Sequence, residues 1–203
     1  TVIGSAHSTG GLTLPLWLNQ RRQSELAGLV LNSPWFDMQG AGWLRTPAGR
    51  VALDQLGSRK PLQAIPRNVS GFYARSLHSA HEGEWDFDLA WKPIESHTVY
   101  AGWLRAIRRG HAELHEGLDV PCPALVLSSA TSHWPTTMDE QVHTSDIVLD
   151  VEQIRRWASS LGRHVTSVAI DQARHDVVLS RPHVRKHAYD VIDRWLGAFV
   201  ETT

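Results

Sequence analysis

Four short strand-like segments, separated by segments with helical spacing, dominate the pattern along the chain. The strand-like segments cover residues 1–5, 27–34, 123–129 and 165–170, and residues 29–31 and 124–127 are unbroken apolar runs. Apolar residues at helical spacing cover 12–20, 151–161 and 184–200. Strands that alternate with helices predict a parallel sheet, and unbroken apolar runs are typical of parallel strands that are buried on both faces. The pattern therefore predicts an α/β fold.

The first strand runs through a tight turn into a helix. Residues 6–11 form the turn, and leucines predominate in residues 12–20. Pro15 lies inside this helix, where it removes a backbone hydrogen bond. We therefore expect either a kink at Pro15 or a helix that begins late.

The pattern loosens between residues 40 and 118. Prolines interrupt it at positions 47, 61, 66 and 93, and an aromatic cluster occupies residues 85–91. Helical spacing returns over residues 100–116, which predicts a helix that packs on the main body. We interpret the whole region as an irregular lobe or lid.

Composition limits the classes of partner. Lys and Arg number 20 against 21 Asp and Glu in 203 residues, so no excess of positive charge favours nucleic acid or an anionic membrane surface. No apolar run approaches the roughly 18 residues that a membrane span requires. Cys122 is the single cysteine, which excludes an intrachain disulfide framework. We expect a small-molecule partner, no nucleic acid and no integral membrane segment.

Ser8 is the candidate nucleophile, because it lies at the junction of strand and helix. A serine hydroxyl needs a base to take its proton and a tight turn to project it towards a substrate. Small residues flank such a turn in the Gly-x-Ser-x-Gly pattern, and here Ala6 and Gly10 flank Ser8. The Thr9 N–H, at the positive end of the helix, is then the predicted oxyanion-hole donor. The alternative is a helix cap rich in Ser and Thr that carries no chemistry.

His175 is the candidate general base. It follows the last predicted strand and precedes the last helix, after the nucleophile in chain order and with room for an acid between them. The chain has twelve histidines, and any one of them is more often a surface or packing residue. The position of His175 in the loop after the last strand distinguishes it from the others.

Three carboxylates compete for the role of the acid that orients this base. Asp150 lies where a helix N-cap belongs, with Gln153 three residues later, which favours a structural role. Asp146 is then the preferred candidate for holding the imidazole of His175. Asp150 and Asp139 remain as alternatives.

These segments together resemble the α/β-hydrolase superfamily, and within it the group of lysophospholipases, monoacylglycerol lipases and serine aminopeptidases. The resemblance rests on residues 6–11, 31–37, 146–150 and 174–176, in the order typical of the family. It implies Ser8 as nucleophile, Asp146 as acid and His175 as base. It also implies a lid inserted after the second strand.

The resemblance implies a partial α/β-hydrolase fold with a parallel sheet, flanking helices and an inserted lid lobe. Residues 1–39 would form the nucleophile strand, elbow and helix and the following strand, 40–118 the lid, and 119–203 the C-terminal core with acid and base. The earlier strands of the family, including the loop that supplies the second oxyanion donor, are not in the chain. We therefore expect the missing N-terminal half of the fold to be needed for activity.

The start of the sequence and the carboxyl ends of the first two strands lead to expectations about location and the substrate pocket. A chain that opens directly on an apolar strand is expected to lack its native beginning, and the absence of a signal peptide favours the cytoplasm. His7, Trp35 and Phe36 follow the carboxyl ends of strands, so we expect them to line the substrate pocket.

The predicted reaction is hydrolysis of a carboxylic ester, lipid-like or small, through an acyl-enzyme on Ser8. Water is the co-substrate and no cofactor is expected. A peptidase or amidase of the same fold is the first alternative. The second is a hydrolase-fold module without catalysis that binds a partner through Trp85, Trp91 and Trp103.

A metal site is a further alternative. His111 and His115 are spaced to share one helical face, and His78 and His81 form another close pair. No glutamate adjoins His111 as in the metalloprotease helix, and no third ligand is indicated. We therefore expect no metal.

Overall fold

The predicted apolar runs form one parallel sheet. The computed structural model describes residues 1–21, 25–40, 42–67 and 69–200. The strands are β1 (Val2–His7), β2 (Leu26–Asn32), β3 (Ala124–Ser129) and β4 (Val165–Ile170), and they lie in that order. Every neighbouring pair is parallel, with Ala6 beside Leu31 and Leu31 beside Val126. The α/β fold class with a parallel sheet is confirmed.

Both faces of the sheet are covered, which explains the unbroken apolar runs. Leu29, Leu31 and Val126 face one hydrophobic core, whereas Val30 and Leu125 face a second core on the other side. Successive side chains of a strand point to opposite faces, so a strand covered on both sides is apolar at most of its positions.

Helices supply the cover on each face. The helices of the main body are α1 (Gly10–Arg21), α5 (Val151–Ala158) and α6 (Pro182–Phe199). α1 and α5 pack on the first core and α6 packs on the second. The expectation of a late start at Pro15 is wrong, since α1 begins at Gly10 and includes Pro15 as a buried residue. A helix that starts five residues earlier loses the one hydrogen bond of Pro15 and keeps the rest.

The lobe between β2 and β3 is more helical than its sequence predicted. It contains α2 (Pro47–Arg59), α3 (Phe72–Leu77) and α4 (Ala101–Glu116). The start of α2 has a local sequence signal. Thr46 caps the helix by accepting a hydrogen bond from the Gly49 N–H, and Pro47 occupies its first turn. α2 packs against α4, where the Asp54 carboxylate accepts hydrogen bonds from two arginines of that helix.

Side chains on one face of α4 form hydrogen bonds with the segment that follows β2. Three side chains of α4 reach three consecutive residues of that segment: Arg108 Nη1 donates to Asp37 Oδ1 at 3.1 Å, His111 Nε2 donates to the Trp35 carbonyl at 2.9 Å, and His115 Nε2 donates to the Phe36 carbonyl at 2.8 Å. The lobe is thereby tied to the carboxyl end of β2. No helix in the described part of the chain is long and apolar enough to cross a membrane.

Candidate active site

The turn between β1 and α1 holds Ser8 in a conformation that non-glycine residues rarely adopt. Its φ is 53°, in the left-handed region, which carries strain for a residue with a Cβ. The Ser8 N–H donates to the Asn32 carbonyl at 3.1 Å, and the Ser8 carbonyl accepts from the N–H groups of Gly11 and Trp35, each at 3.0 Å. Main-chain bonds on both sides therefore maintain a turn that projects the side chain out of the strand–helix junction.

The need for small residues at this turn is sharpest at Gly11. A Cβ at Gly11 would lie 2.5 Å from the Cβ of Pro34, whereas a Cβ at Gly10 would lie 3.7 Å from that of Ala6. The second distance is an ordinary contact. Ala6 is therefore accommodated beside Gly10, and the position without room is Gly11, where α1 passes against the residues that follow β2.

The loop after β3 leaves the sheet and returns to place Asp146. The Asp146 N–H donates to the Thr131 carbonyl at 2.9 Å, and the His133 N–H donates to the Asp146 carbonyl at 3.0 Å. Residues 131–145 thus form an excursion whose two ends are hydrogen-bonded together. The Asp146 side chain is fully buried, and its Oδ1 accepts from the N–H groups of Val148 and Leu149, both at 2.8 Å.

Asp146, His175 and Ser8 form a continuous hydrogen-bonded line. Asp146 Oδ2 lies 2.9 Å from His175 Nδ1, and His175 Nε2 lies 3.0 Å from Ser8 Oγ. The carboxylate can only accept, so Nδ1 carries a proton and Nε2 of the neutral ring is free to accept from the hydroxyl. This arrangement can remove the hydroxyl proton and stabilise the resulting imidazolium.

The other two acids considered from the sequence lie elsewhere and cap helices. Asp150 accepts from the Glu152 N–H at 3.1 Å at the start of α5, as its N-cap position predicted. Asp139 accepts from the Val142 N–H at 3.2 Å and lies 3.1 Å from His133 Nε2. Of the three, the structure brings Asp146 to His175.

A second polar group adjoins this line and includes residues to which sequence reasoning gave no role. His7 Nδ1 donates to the Asn32 carbonyl at 2.9 Å, and its Nε2 lies 3.8 Å from Asp176 Oδ2. The rings of His7 and His175 are 4.7 Å apart. Burial, and next the charge of His175, lower the pKa of His7 below its usual value, so His7 is neutral at pH 7.

Tyr73 reaches the site from the lobe. Its ring meets that of His175 edge-on, with centroids 5.5 Å apart. Burial raises the pKa of Tyr73 well above its usual value, and the charges of Asp176 and Asp146 add to the effect. The phenol therefore keeps its proton over the whole physiological pH range. Its position in the short helix α3 offers no local signal that would have selected it from the sequence.

A cavity of about 710 Å³ opens beside Ser8. Its wall includes His7, Ser8 and His175 from the main body and Tyr73 and Lys92 from the lobe. The Thr9 N–H, at the start of α1, donates to no acceptor in the described parts of the chain. The site thus combines a serine hydroxyl hydrogen-bonded to a histidine, an available main-chain donor and a space of the size that small-molecule ligands occupy.

Comparison with solved structures agrees with this architecture. A monoacylglycerol lipase from Paleococcus ferrophilus matches with a TM-score of 0.67 and 19% identity over 97% of this chain. A soluble variant of monoglyceride lipase from Saccharomyces cerevisiae, in complex with a substrate analogue, matches with a TM-score of 0.59 and 13% identity over 96%. The esterase domain of a Rhodothermus marinus protein matches with a TM-score of 0.52 and 17% identity over 98%.

The chain has the α/β-hydrolase fold. It spans 68%, 64% and 62% of those three chains, respectively, so it represents part of the α/β-hydrolase fold as they have it. No protein-family model and no curated protein matches the sequence.

Two residues expected in the substrate pocket lie in the hydrophobic core instead. Trp35 and Phe36 are buried, with 8% and 1% of their surfaces exposed, and neither lines the cavity beside Ser8. The expectation for these two is corrected, whereas His7 does line the cavity. Their carbonyls are hydrogen-bonded to α4, the Trp35 ring contacts Trp103 and His111 of that helix, and Phe36 belongs to the hydrophobic core.

Three of the four histidines considered as metal ligands form hydrogen bonds with main-chain groups. His111 and His115 use Nε2 for the carbonyls that follow β2. His78 lies 3.1 Å from the Phe87 carbonyl through Nε2 and accepts from the Ala80 N–H at 3.0 Å. Among the described residues no group of three or more His, Cys, Asp or Glu side chains has the arrangement of a metal site.

Proposed function

We propose that this protein hydrolyses carboxylic esters, with Ser8 as nucleophile, His175 as general base and acid, and Asp146 as the residue that orients His175. The observation that carries the proposal is the hydrogen-bonded line of these three side chains at the wall of the cavity. A line of this composition supports acyl transfer on several unrelated folds, because what matters is its geometry. The likeness to lipases and an esterase supports the fold on which it stands.

The first half of the reaction transfers the acyl group to Ser8. Ser8 Oγ attacks the ester carbonyl carbon while its proton passes to His175 Nε2. The carbonyl oxygen becomes an oxyanion, for which the Thr9 N–H is the proposed donor. The tetrahedral intermediate collapses, the bond to the alcohol oxygen breaks, and the alcohol leaves with the proton from His175. The acyl group stays on Ser8 as an ester.

The second half returns the enzyme to its starting state. Water gives a proton to His175 Nε2 as its oxygen attacks the acyl carbon. Collapse of the second tetrahedral intermediate breaks the bond to Ser8 Oγ, which recovers a proton from His175. The carboxylic acid leaves, so the sum is ester plus water to acid plus alcohol. No cofactor takes part in either half.

We also propose that residues 40–118 act as the lid of the cavity, between a nucleophile-bearing part, 1–39, and an acid- and base-bearing part, 119–203. Tyr73 and Lys92 support this role, because both belong to the lobe and line the wall beside Ser8. The substrate proposed is a small-molecule ester that enters between lobe and main body.

The test is labelling and turnover in the full-length protein. A fluorophosphonate should label wild type at Ser8, and Ser8→Ala should lose both labelling and hydrolysis of p-nitrophenyl esters, by about a million-fold in turnover. Ser58→Ala, at an exposed serine of α2, should change neither. Retention of esterase activity by Ser8→Ala refutes the proposed nucleophile, and absence of labelling in a folded protein favours a binding module. Matched p-nitroanilides distinguish ester from amide hydrolysis.

A further inference from the structure

The cavity beside Ser8 has positive charge on its wall and no acidic side chain among the described residues that line it. Its wall contains two side chains that are always or normally cationic, Arg67 and Lys92, and the described residues that line it include neither Asp nor Glu. The protein as a whole has no such excess, since its formal net charge is −1. The charge is therefore a local property of the cavity wall.

Lys92 is held over aromatic rings without a counter-ion. Its Nζ lies 4.9 Å from the ring centre of Tyr73 and 5.6 Å from that of Phe87. Among the described residues no carboxylate lies within 4.0 Å of this ammonium, and no acceptor takes a hydrogen bond from it. A partly buried ammonium that lacks such a partner has lost hydration without replacing it.

Asp176 is the acid whose charge acts on Lys92, but the two side chains form no ion pair. Burial lowers the pKa of Lys92, and the charge of Asp176 partly opposes this lowering. Asp176 Oδ1 accepts from Asn32 Nδ2 at 2.7 Å, and within the described residues Asp176 lies more than 4.0 Å from the Lys92 ammonium. Lys92 is thus free to pair with an anion that arrives in the cavity.

Arg67 stands at the same wall and is also without an acid. Its Nη2 donates to Ser96 Oγ at 3.4 Å and to the His97 carbonyl at 3.1 Å. Both partners are neutral, and no ion pair of Arg67 occurs in the described parts of the chain. The contacts orient the guanidinium through one nitrogen and leave its other donors available to a carboxylate or phosphate.

We propose that the preferred ester carries an anionic group, a carboxylate or a phosphate, which Lys92 and Arg67 bind while the ester carbonyl lies at Ser8. This inference rests on the proposed ester hydrolysis. Lys92 contacts the ring of Tyr73, and that ring contacts His175. Only the Tyr73 side chain therefore separates an anion bound at Lys92 from the line of Asp146, His175 and Ser8. The anionic group belongs to a small substrate that enters the cavity.

A structural role for Lys92 is the competing explanation, because a cation over two aromatic rings also stabilises the lobe. Loss of such a contact lowers stability and affects all substrates alike. Recognition of an anion, in contrast, changes the ratio of kcat/KM between a charged ester and its neutral counterpart. The ratio therefore separates the two roles.

The experiment compares matched esters in the full-length protein. One pair is p-nitrophenyl hexanoate and the p-nitrophenyl monoester of adipic acid; the other is a 1-acylglycerol and the same 1-acylglycerol 3-phosphate. Wild type should prefer the anionic member of at least one pair, and the pair affected tells carboxylate from phosphate. Lys92→Met should reduce the ratio about tenfold or more, the effect of losing one charged hydrogen bond, while Lys92→Arg should largely retain it.

Lys186→Met is the control, because Lys186 is exposed on α6 and pairs with Asp190. The ratio of kcat/KM between charged and neutral esters should be the same in this variant as in wild type. Should Lys92→Met fail to fold, the salt dependence of wild type serves instead, since screening at high ionic strength should lower the same ratio. An equal loss on charged and neutral esters, or an unchanged ratio, overturns the inference while ester hydrolysis stands. Absence of hydrolysis of every ester refutes the proposed function itself.

Discussion

Asn32 and Asp176 are 144 residues apart in the sequence, and the Asn32 Nδ2 amide donates to Asp176 Oδ1 at 2.7 Å. Asn32 Oδ1 also accepts from the Val177 N–H at 3.0 Å. The main-chain carbonyl of Asn32 accepts from the Ser8 N–H. One buried residue at the end of β2 therefore connects the turn that carries Ser8 with the loop that carries His175.

Replacement of Asn32 by alanine should disturb both sides of this connection. The Val177 N–H and the Asp176 carboxylate would each lose a partner in a largely buried place, which costs about 1–3 kcal/mol per group. We expect a lower free energy of unfolding in urea and a lower kcat, because His175 is then less firmly placed.

Asn19→Ala provides the comparison for this variant. Asn19 also makes side-chain hydrogen bonds, to the Asp119 N–H and to Glu113, but at the far end of α1. It should lower stability without lowering kcat of the folded protein. Equal effects of the two variants on kcat would contradict the connecting role of Asn32.

Conversion to asparagine should lower kcat sharply at Asp146 and hardly at all at Asp150. Asp146→Asn should lower kcat on the order of ten-thousand-fold, because an amide no longer enforces the tautomer of His175 that accepts the Ser8 proton. Asp150→Asn should leave kcat nearly unchanged, since asparagine remains a good N-cap. Turnover is measured with circular dichroism spectra of both variants as the check on folding. The reverse order of effects would exchange the roles of these two acids.

Gly10 and Gly11 form a matched pair at the turn. Gly11→Ala places a Cβ 2.5 Å from that of Pro34, so α1 or the segment after β2 must shift, at a cost of about 1–3 kcal/mol or more. Gly10→Ala meets the Ala6 Cβ at 3.7 Å and should be tolerated. Thermal unfolding of both variants measures the difference. A Gly11→Ala protein as stable as Gly10→Ala would show that the packing at Pro34 is loose.

His111 should make stability depend on pH below neutrality. Burial lowers its pKa to about 3 from the ordinary 6.5, so the folded protein keeps His111 neutral where the unfolded chain protonates it. The contribution of His111 to the free energy of unfolding is complete above pH 6.5 and is lost as pH falls towards 3, with a slope of up to about 1.4 kcal/mol per pH unit. Urea unfolding between pH 7 and pH 4 measures this slope.

His111→Gln should flatten that dependence, because glutamine cannot take up a proton and can still donate to the Trp35 carbonyl. His187→Gln, at an exposed histidine of α6, is the control and should keep the wild-type slope. If His111→Gln also keeps that slope, another group is responsible for it.

Much of the fold was predictable because its signals are local. The segment from Val165 to Ile170 is rich in β-branched residues, and it is a strand with the predicted ends. Ser8 and His175 each follow a strand, and the carboxyl ends of parallel strands share one edge of the sheet. Local order thus predicted where the candidate nucleophile and base lie, and cap chemistry separated Asp150 from Asp146.

The sequence by itself determined which segments are strands, which are main-body helices, and which residue types stand at the carboxyl edge of the sheet. Burial of a strand on both faces leaves an apolar run in the sequence, and burial of a helix on one face leaves apolar residues at helical spacing. Only the tertiary structure decided which distant side chains meet. α4 turns Trp35 into the core, α3 brings Tyr73 to His175, and the end of β2 brings Asn32 to Asp176. Such contacts depend on the relative placement of whole elements, and hydrophobic periodicity carries no information about partners far along the chain.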